Sequence, residues 1–188
     1  PIIGCEVYVA PRSRLDKVHG IDNERFHLVL LCKNNTGYEN LIKIVSESWV
    51  TGFYTKPRID KQLLEKYHEG LIALSACLAG EIPRKLLQDD YDGAKEAALW
   101  YDKTFGRGNY YLEIQNHGIA EQLRVLPQIV KISRETGIPL VATNDVHYIK
   151  KENGGKQRAY NVGVENAKGE LFICLDSDDI YVENGLEI

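Results

Sequence analysis

Short runs of almost wholly apolar residues recur along this chain, each followed by a segment with helical spacing. That alternation limits the fold more than any other feature. The runs are 2–9, 26–32, 71–75, 110–114 and 140–143. Each is short for a helix and apolar on successive residues, as strands covered on both faces are. Between them, Leu41, Ile42, Ile44, Val45 and Trp49 give an apolar helix face behind a candidate cap at Thr36. Asp60 is placed to cap a second helix running through about Tyr67, and Gly70 stops it. Helices at 81–88 and 91–105 follow, the second carrying Ala94, Ala97, Ala98, Trp100 and Tyr101. A long amphipathic helix at 119–136 ends at Gly137, and Pro139 forbids its continuation. Repeated strand–helix units of this kind predict an α/β fold with a parallel sheet or barrel.

A length of 188 residues with 44% hydrophobic and 27% charged side chains is enough to bury a real core. The net charge of -4 does not advertise a nucleic-acid binder, so any such role must come from a local site. No apolar run approaches the ~20 residues of a membrane span, and no signal peptide is visible. The cysteines at 5, 32, 77 and 174 show no paired spacing, which fits a reducing cytoplasm. The chain has no Met and opens on Pro1-Ile2-Ile3, already inside a strand-like run, and so reads as a fragment.

In a parallel α/β fold, polar residues at strand ends face the site. Glu6 lies inside an apolar strand, where a lone carboxylate is costly unless paired or metal-bound. His27 opens the second strand, Cys77 follows the third, and Asp145 with His147 closes the strand at 140–143. An Asp-x-His pair past a strand can put both side chains at one rim, where they can hold neighbouring metals. Paired divalent ions activate water and stabilise the leaving oxygen in phosphoester hydrolysis. Taken singly, the same residues have plainer readings. Glu6 would be salt-bridged, His27 and Cys77 would be core side chains, and Asp145-Val146-His147 would be a chance match.

Several longer stretches occur in a fixed order. They are Gly4-Cys5-Glu6-Val7-Tyr8-Val9, His27-Leu28-Val29-Leu30-Leu31, Asn34-Asn35-Thr36-Gly37-Tyr38-Glu39-Asn40-Leu41, Gly70-Leu71-Ile72-Ala73-Leu74-Ser75-Ala76-Cys77-Leu78-Ala79-Gly80-Glu81-Ile82 and Ala142-Thr143-Asn144-Asp145-Val146-His147-Tyr148-Ile149. Together, over residues 1–152, they closely resemble the polymerase-and-histidinol-phosphatase (PHP) domain of bacterial replicase alpha subunits of the DNA polymerase III family. The resemblance implies a distorted (β/α)7 barrel with up to three metal ions at the strand ends. It implies that Glu6 bridges two ions, that His27 and Cys77 serve the second, that Asp145 serves the first and His147 the third. Zn²⁺ suits the His and Cys ligands, and Mn²⁺ or Fe suits positions dominated by carboxylates. The family's opening His-x-His, a following Asp and another His all precede the position matching Pro1. The expected fold is therefore an incomplete barrel lacking its first strands. His117, past the strand at 110–114, is expected at the rim near phosphate rather than on a metal.

Composition shifts at 150–155, dividing the chain into 1–152 and 153–188. The second part reads as a short helix–strand segment. Gly154-Gly155-Lys156-Gln157-Arg158-Ala159-Tyr160-Asn161-Val162-Gly163 and Ala167-Lys168-Gly169-Glu170-Leu171-Phe172-Ile173-Cys174-Leu175-Asp176-Ser177-Asp178-Asp179 resemble part of a family 2 glycosyltransferase of GT-A fold. That resemblance implies that Asp176 and Asp178 help bind Mg²⁺ or Mn²⁺ on a nucleotide-sugar diphosphate; the alternative is an acidic loop.

The expectation is a cytoplasmic fragment of a replicative DNA polymerase, namely its metal-binding PHP domain. In that role it acts as a 3′-5′ exonuclease or phosphoesterase, or as structural support, with DNA and other replicase subunits as partners and no membrane. Polymerisation needs a palm with its own carboxylates, and no such region is present. The alternatives are a transferase using a nucleotide-sugar donor and a non-catalytic structural fragment.

Overall fold

The computed structural model describes residues 2–145 and the backbone of residues 172–176. Strands β1 (Ile2–Val9), β2 (Phe26–Cys32), β3 (Arg58–Ile59), β4 (Leu71–Leu74), β5 (Tyr110–Ile114), β6 (Leu140–Ala142) and β7 (Phe172–Asp176) form one sheet. Helices α1 (Asn35–Val50), α2 (Lys61–Tyr67), α3 (Glu81–Leu87), α4 (Tyr91–Phe105) and α5 (Ala120–Thr136) lie between them. The strand order is β3-β1-β2-β4-β5-β6, and β7 shares the outer edge of β1 with β3. This is the mixed α/β class expected.

The sheet is not wholly parallel. β2 runs against β1 and β4, while every other pairing is parallel. The reason lies in the connection. Residues 10–25 contain no helix to carry the chain across the sheet, so β2 returns directly alongside β1. The reversal puts the first residues of β2 at the same sheet edge as the carboxyl ends of β1, β4, β5 and β6.

Every described helix contributes to one apolar cluster with the sheet. Cys5, Val7 and Val9 of β1, with Leu28 and Leu30 of β2, face Ile44, Leu64, Ile82, Leu86, Ala98 and Ile129. Burying a side chain of the Leu or Ile kind contributes about 1.5–3 kcal/mol. By the strand's period of two, Glu6, Tyr8 and His27 occupy the other face. Asn34, rather than Thr36, caps α1, because its extended backbone lets the side chain accept from the Gly37 N–H at 3.0 Å. Asp60 caps α2 by accepting from Leu63 N–H at 3.1 Å, and α5 ends on left-handed Gly137.

The loop at 10–25 is held from beneath. Arg58, 1% exposed, donates to the carbonyls of Gly52, Asp22, Arg14 and Asp16 at 2.8–3.2 Å. Arg12 pairs with Asp22 at 2.7 Å and Arg14 with Asp60 at 3.0 Å. No helix among the described residues is long and apolar enough to cross a membrane.

Candidate metal centre

Register decides the first contact. Tyr8 stands opposite His27 across the β1–β2 ladder, and Glu6 is two residues back on the same face. A diagonal pair of this kind is within reach of long side chains. The Glu6 carboxylate Oε1 lies 2.8 Å from His27 Nδ1, with both side chains partly exposed. The Tyr8 ring packs against the imidazole with centroids 5.0 Å apart.

Cys77 arrives from β4 through a tight corner. Ala76, just before it, has a left-handed φ of 63°. The Gly80 N–H donates to the Cys77 carbonyl at 2.9 Å, and the His27 N–H donates to the Ala79 carbonyl at 3.0 Å. A Cβ at Gly80 would stand 2.1 Å from the Ser75 carbonyl oxygen, so the corner closes only around glycine. The result brings Cys77 Sγ to 3.9 Å from the same Nδ1 that meets Glu6. Burial acts to lower the His27 pKa, but hydrogen bonding by Cys77 and Glu6 outweighs it and raises the pKa to about 9.

β5 and β6 end beside this group. The Glu113 carboxylate, 6% exposed, accepts from the Thr143 hydroxyl and, at 3.1 Å, from the Gln115 amide. Its own backbone N–H donates to the Ser75 hydroxyl at 2.8 Å. Burial pushes its pKa up, against these bonds, and the negative charge of Asp145 adds to the rise. Among the described residues Glu113 Oε2 and Gln115 Oε1 have no hydrogen-bond partner, and both residues, with Cys77, line a small cavity beneath α5.

His117 is on the rim and exposed, and its tautomer follows from geometry. Gln122 Oε1 accepts from the His117 backbone N–H at 2.7 Å, so Gln122 turns its amide nitrogen to His117 Nδ1 at 2.9 Å. Nδ1 is therefore an acceptor, and Nε2 donates to the Asn144 carbonyl at 2.8 Å. Both ring nitrogens are in use within the protein, and the side chain ties the end of β5 to the end of β6.

Glu6, His27 and Cys77 are thus brought together. Asp145 stands just past β6 with a left-handed φ of 47°, in the same neighbourhood as Glu113. His147 and Asp178 lie outside the described residues, and Asp176 is placed only through its backbone, in register with Glu6. Cys5 is buried in the core, Cys32 packs against it, and His19 is exposed. Among the described residues, no group of three or more His, Cys, Asp and Glu already stands at metal-binding separation. Sequence reading passed over Glu113 although the signal was present. Tyr-Tyr-Leu-Glu-Ile is a lone carboxylate in an apolar strand, the same signature that singled out Glu6.

A family model described as PHP domain matches residues 1–117, and one described as Glycosyl transferase family 2 matches residues 130–188. The second match begins inside α5 and takes in β6, both part of the fold described above. DNA polymerase III subunit alpha of Treponema pallidum is 48% identical over 83% of this chain, which is 13% of that relative. The Borreliella burgdorferi protein of the same name is 49% identical over 100% of the chain and 17% of its own length. That of Thermus aquaticus is 47% identical over 86% of the chain and 13% of its own length. The chain therefore spans only a small part of these relatives. The PHP match covers well over half of the chain, including Glu6, His27, Cys77, Glu113 and His117. This chain belongs to the PHP domain family.

Proposed function

We propose that the chain is the PHP domain of a bacterial replicative DNA polymerase alpha subunit, and that its strand-end rim binds divalent metal for phosphoester hydrolysis at a DNA 3′ end. The observation that carries this reading is the convergence of a carboxylate oxygen and a thiol sulfur on one imidazole nitrogen. The donor set fits a metal. Two ligands of one tetrahedral ion stand about 3.3–3.5 Å apart. The 3.9 Å from sulfur to nitrogen is close to that, and the 2.8 Å from oxygen to nitrogen must open by about half an ångström as the ion replaces the shared proton.

Glu6, His27 and Cys77 would hold one ion, with Asp145 and His147 serving neighbouring metal positions. Zn²⁺ suits nitrogen and sulfur; Mn²⁺ or Fe suits carboxylates. Such an ion supplies charge stabilisation and a lowered pKa for bound water. The chain's own part is to orient the donors. Tyr8 packs the imidazole, Gly80 lets the Cys77 corner close, and the Glu6 carboxylate fixes which ring nitrogen faces the site.

In this reading the helices, all on one face of the sheet, are the outer layer of a distorted (β/α)7 barrel. Residues 153–188 are a second, helix–strand segment whose strand β7 adds to the same sheet through β1. DNA and the other replicase subunits are the partners. A sugar transferase using a nucleotide-sugar donor is the second reading; the match over 130–188 and the Asp176–Asp178 motif favour it.

Metal content after dialysis, compared between the wild-type chain and Glu6→Ala, tests the rim. The expected result is at least a tenfold loss of retained metal in the variant, and equal content would remove Glu6 from the site. Single-turnover digestion of a 3′-labelled primer with Mn²⁺ or Zn²⁺, beside donor-sugar hydrolysis, separates the two readings. DNA cleavage lost in Asp145→Asn supports the first; sugar release lost in Asp178→Asn overturns it.

A further inference from the structure

We propose that Glu113 is the positioning residue of the metal rim: a buried clasp that fixes the Cys77 corner and the Asp145 segment relative to each other. The inference rests on the reading of the rim as a metal site.

Cys77 and Asp145 come from different strands, and each sits at or just after a left-handed non-glycine residue, Ala76 at φ 63° and Asp145 itself at φ 47°. Left-handed backbone costs a non-glycine residue about 1–3 kcal/mol and persists only where the surroundings enforce it. Neither corner is enforced by its own strand, since both lie past the last ladder pair. Glu113 touches both. On the β4 side, its backbone N–H donates to Ser75 Oγ, next to Ala76. On the β6 side, its Oε1 accepts from the Thr143 hydroxyl, two residues before Asp145.

Gln115 and His117 follow at intervals of two along the same outgoing chain and repeat the link. Gln115 Nε2 donates to Thr143 Oγ1 at 3.2 Å, and His117 Nε2 donates to the Asn144 carbonyl. One residue therefore joins three strand ends, by its main chain toward β4 and by its carboxylate toward β6, and the other contacts of the segment reinforce only the β6 side. A buried carboxyl is a costly way to fill space beside α5, and a hydrophobic side chain would serve the core better. Its placement answers a different need, which is to hold two ligand-bearing corners in one geometry. Partners of this kind typically change metal affinity ten- to a hundredfold when removed.

The test is a Co²⁺ titration of the full 188-residue chain, followed through the thiolate-to-cobalt charge-transfer band and the ligand-field bands. Wild type, Glu113→Ala, Glu113→Gln and Thr143→Val are compared, with circular dichroism reporting on folding. Wild type should bind Co²⁺ with a thiolate band. Glu113→Ala should bind at least tenfold more weakly with shifted ligand-field bands, and Glu113→Gln, which keeps an acceptor oxygen, should recover binding to within about threefold. Should Glu113→Ala not fold, Thr143→Val decides, with an expected severalfold loss at unchanged helix content. Wild-type affinity and spectra in the folded variants would overturn the clasp and leave the metal reading standing. Absence of Co²⁺ binding by wild type would overturn both, and only that outcome touches the metal reading.

Discussion

The chain buries an arginine on one flank of the sheet and a glutamate on the other, and it finishes them differently. Arg58 directs its guanidinium to the carbonyls of Gly52, Asp22, Arg14 and Asp16, so its hydrogen bonds all go to backbone of the segments it joins. Glu113 is also nearly inaccessible, yet one of its oxygens has no partner among the described residues and its neighbours are the strand ends of the rim. A buried charge with every nitrogen hydrogen-bonded, and whose partners are backbone, organises a fold. A buried carboxyl left partly unsatisfied, next to a convergent carboxylate, imidazole and thiol, has the pattern of a candidate site.

Substitutions at the two places should therefore separate stability from metal affinity. The largest effect belongs to Arg58→Met. It keeps apolar bulk but removes the donor from four carbonyls, at roughly 1 kcal/mol for each one left unpaired, or about 4 kcal/mol in all. Urea unfolding should show that loss. Co²⁺ affinity in the folded fraction should stay near wild type, because Arg58 touches no strand-end ligand. A rim that failed together with Arg58 would erase the distinction between the two flanks.

Gly80→Ala should act in between. The added methyl meets the Ser75 carbonyl at 2.1 Å, so the corner must shift, at a cost of about 1–3 kcal/mol. Because that corner delivers Cys77, the variant should also weaken the thiolate–cobalt band. A stability loss with an unchanged band would mean that Cys77 is positioned by something other than the closure around Gly80.

Much of this architecture was legible in the sequence, and the exceptions have physical causes. Apolar runs located the long strands, and Asp60 and Gly137 marked helix ends because capping chemistry is local. The reversal of β2 was less visible. A strand's direction depends on whether the preceding connection crosses the sheet, and residues 10–25 carry no helical pattern that would do so. β3, only Arg58–Ile59, is too short to carry a pattern. Glu6 stands out in an apolar strand, and His27 and Cys77 stand beside strand ends, but their meeting at one nitrogen depends on the diagonal register and on Gly80. Glu113 carried the same signal as Glu6. What set it apart were hydroxyls at positions 75 and 143, and those reach it only in the folded chain.

The smallest effect sharpens the arginine side by pH. Asp22 is buried, accepts from Arg12 and takes a hydrogen bond from the Val18 N–H at 2.9 Å; Arg12 first, and then Val18, hold its carboxyl below the ordinary 3.8. The folded state thus binds fewer protons than the unfolded state over that range. The stabilisation is complete above the ordinary carboxylate value and is lost as pH falls through the depressed one. Asp22→Asn should therefore be less stable than wild type at neutral pH, with the gap closing on acidification. The measurement is a series of urea midpoints for both proteins from neutral pH down through the carboxylate range. A gap that stayed constant would assign the Asp22 contribution to hydrogen-bond shape alone. Charge would then play no part in locking the loop over Arg58, and the contrast with Glu113 would rest on geometry rather than electrostatics.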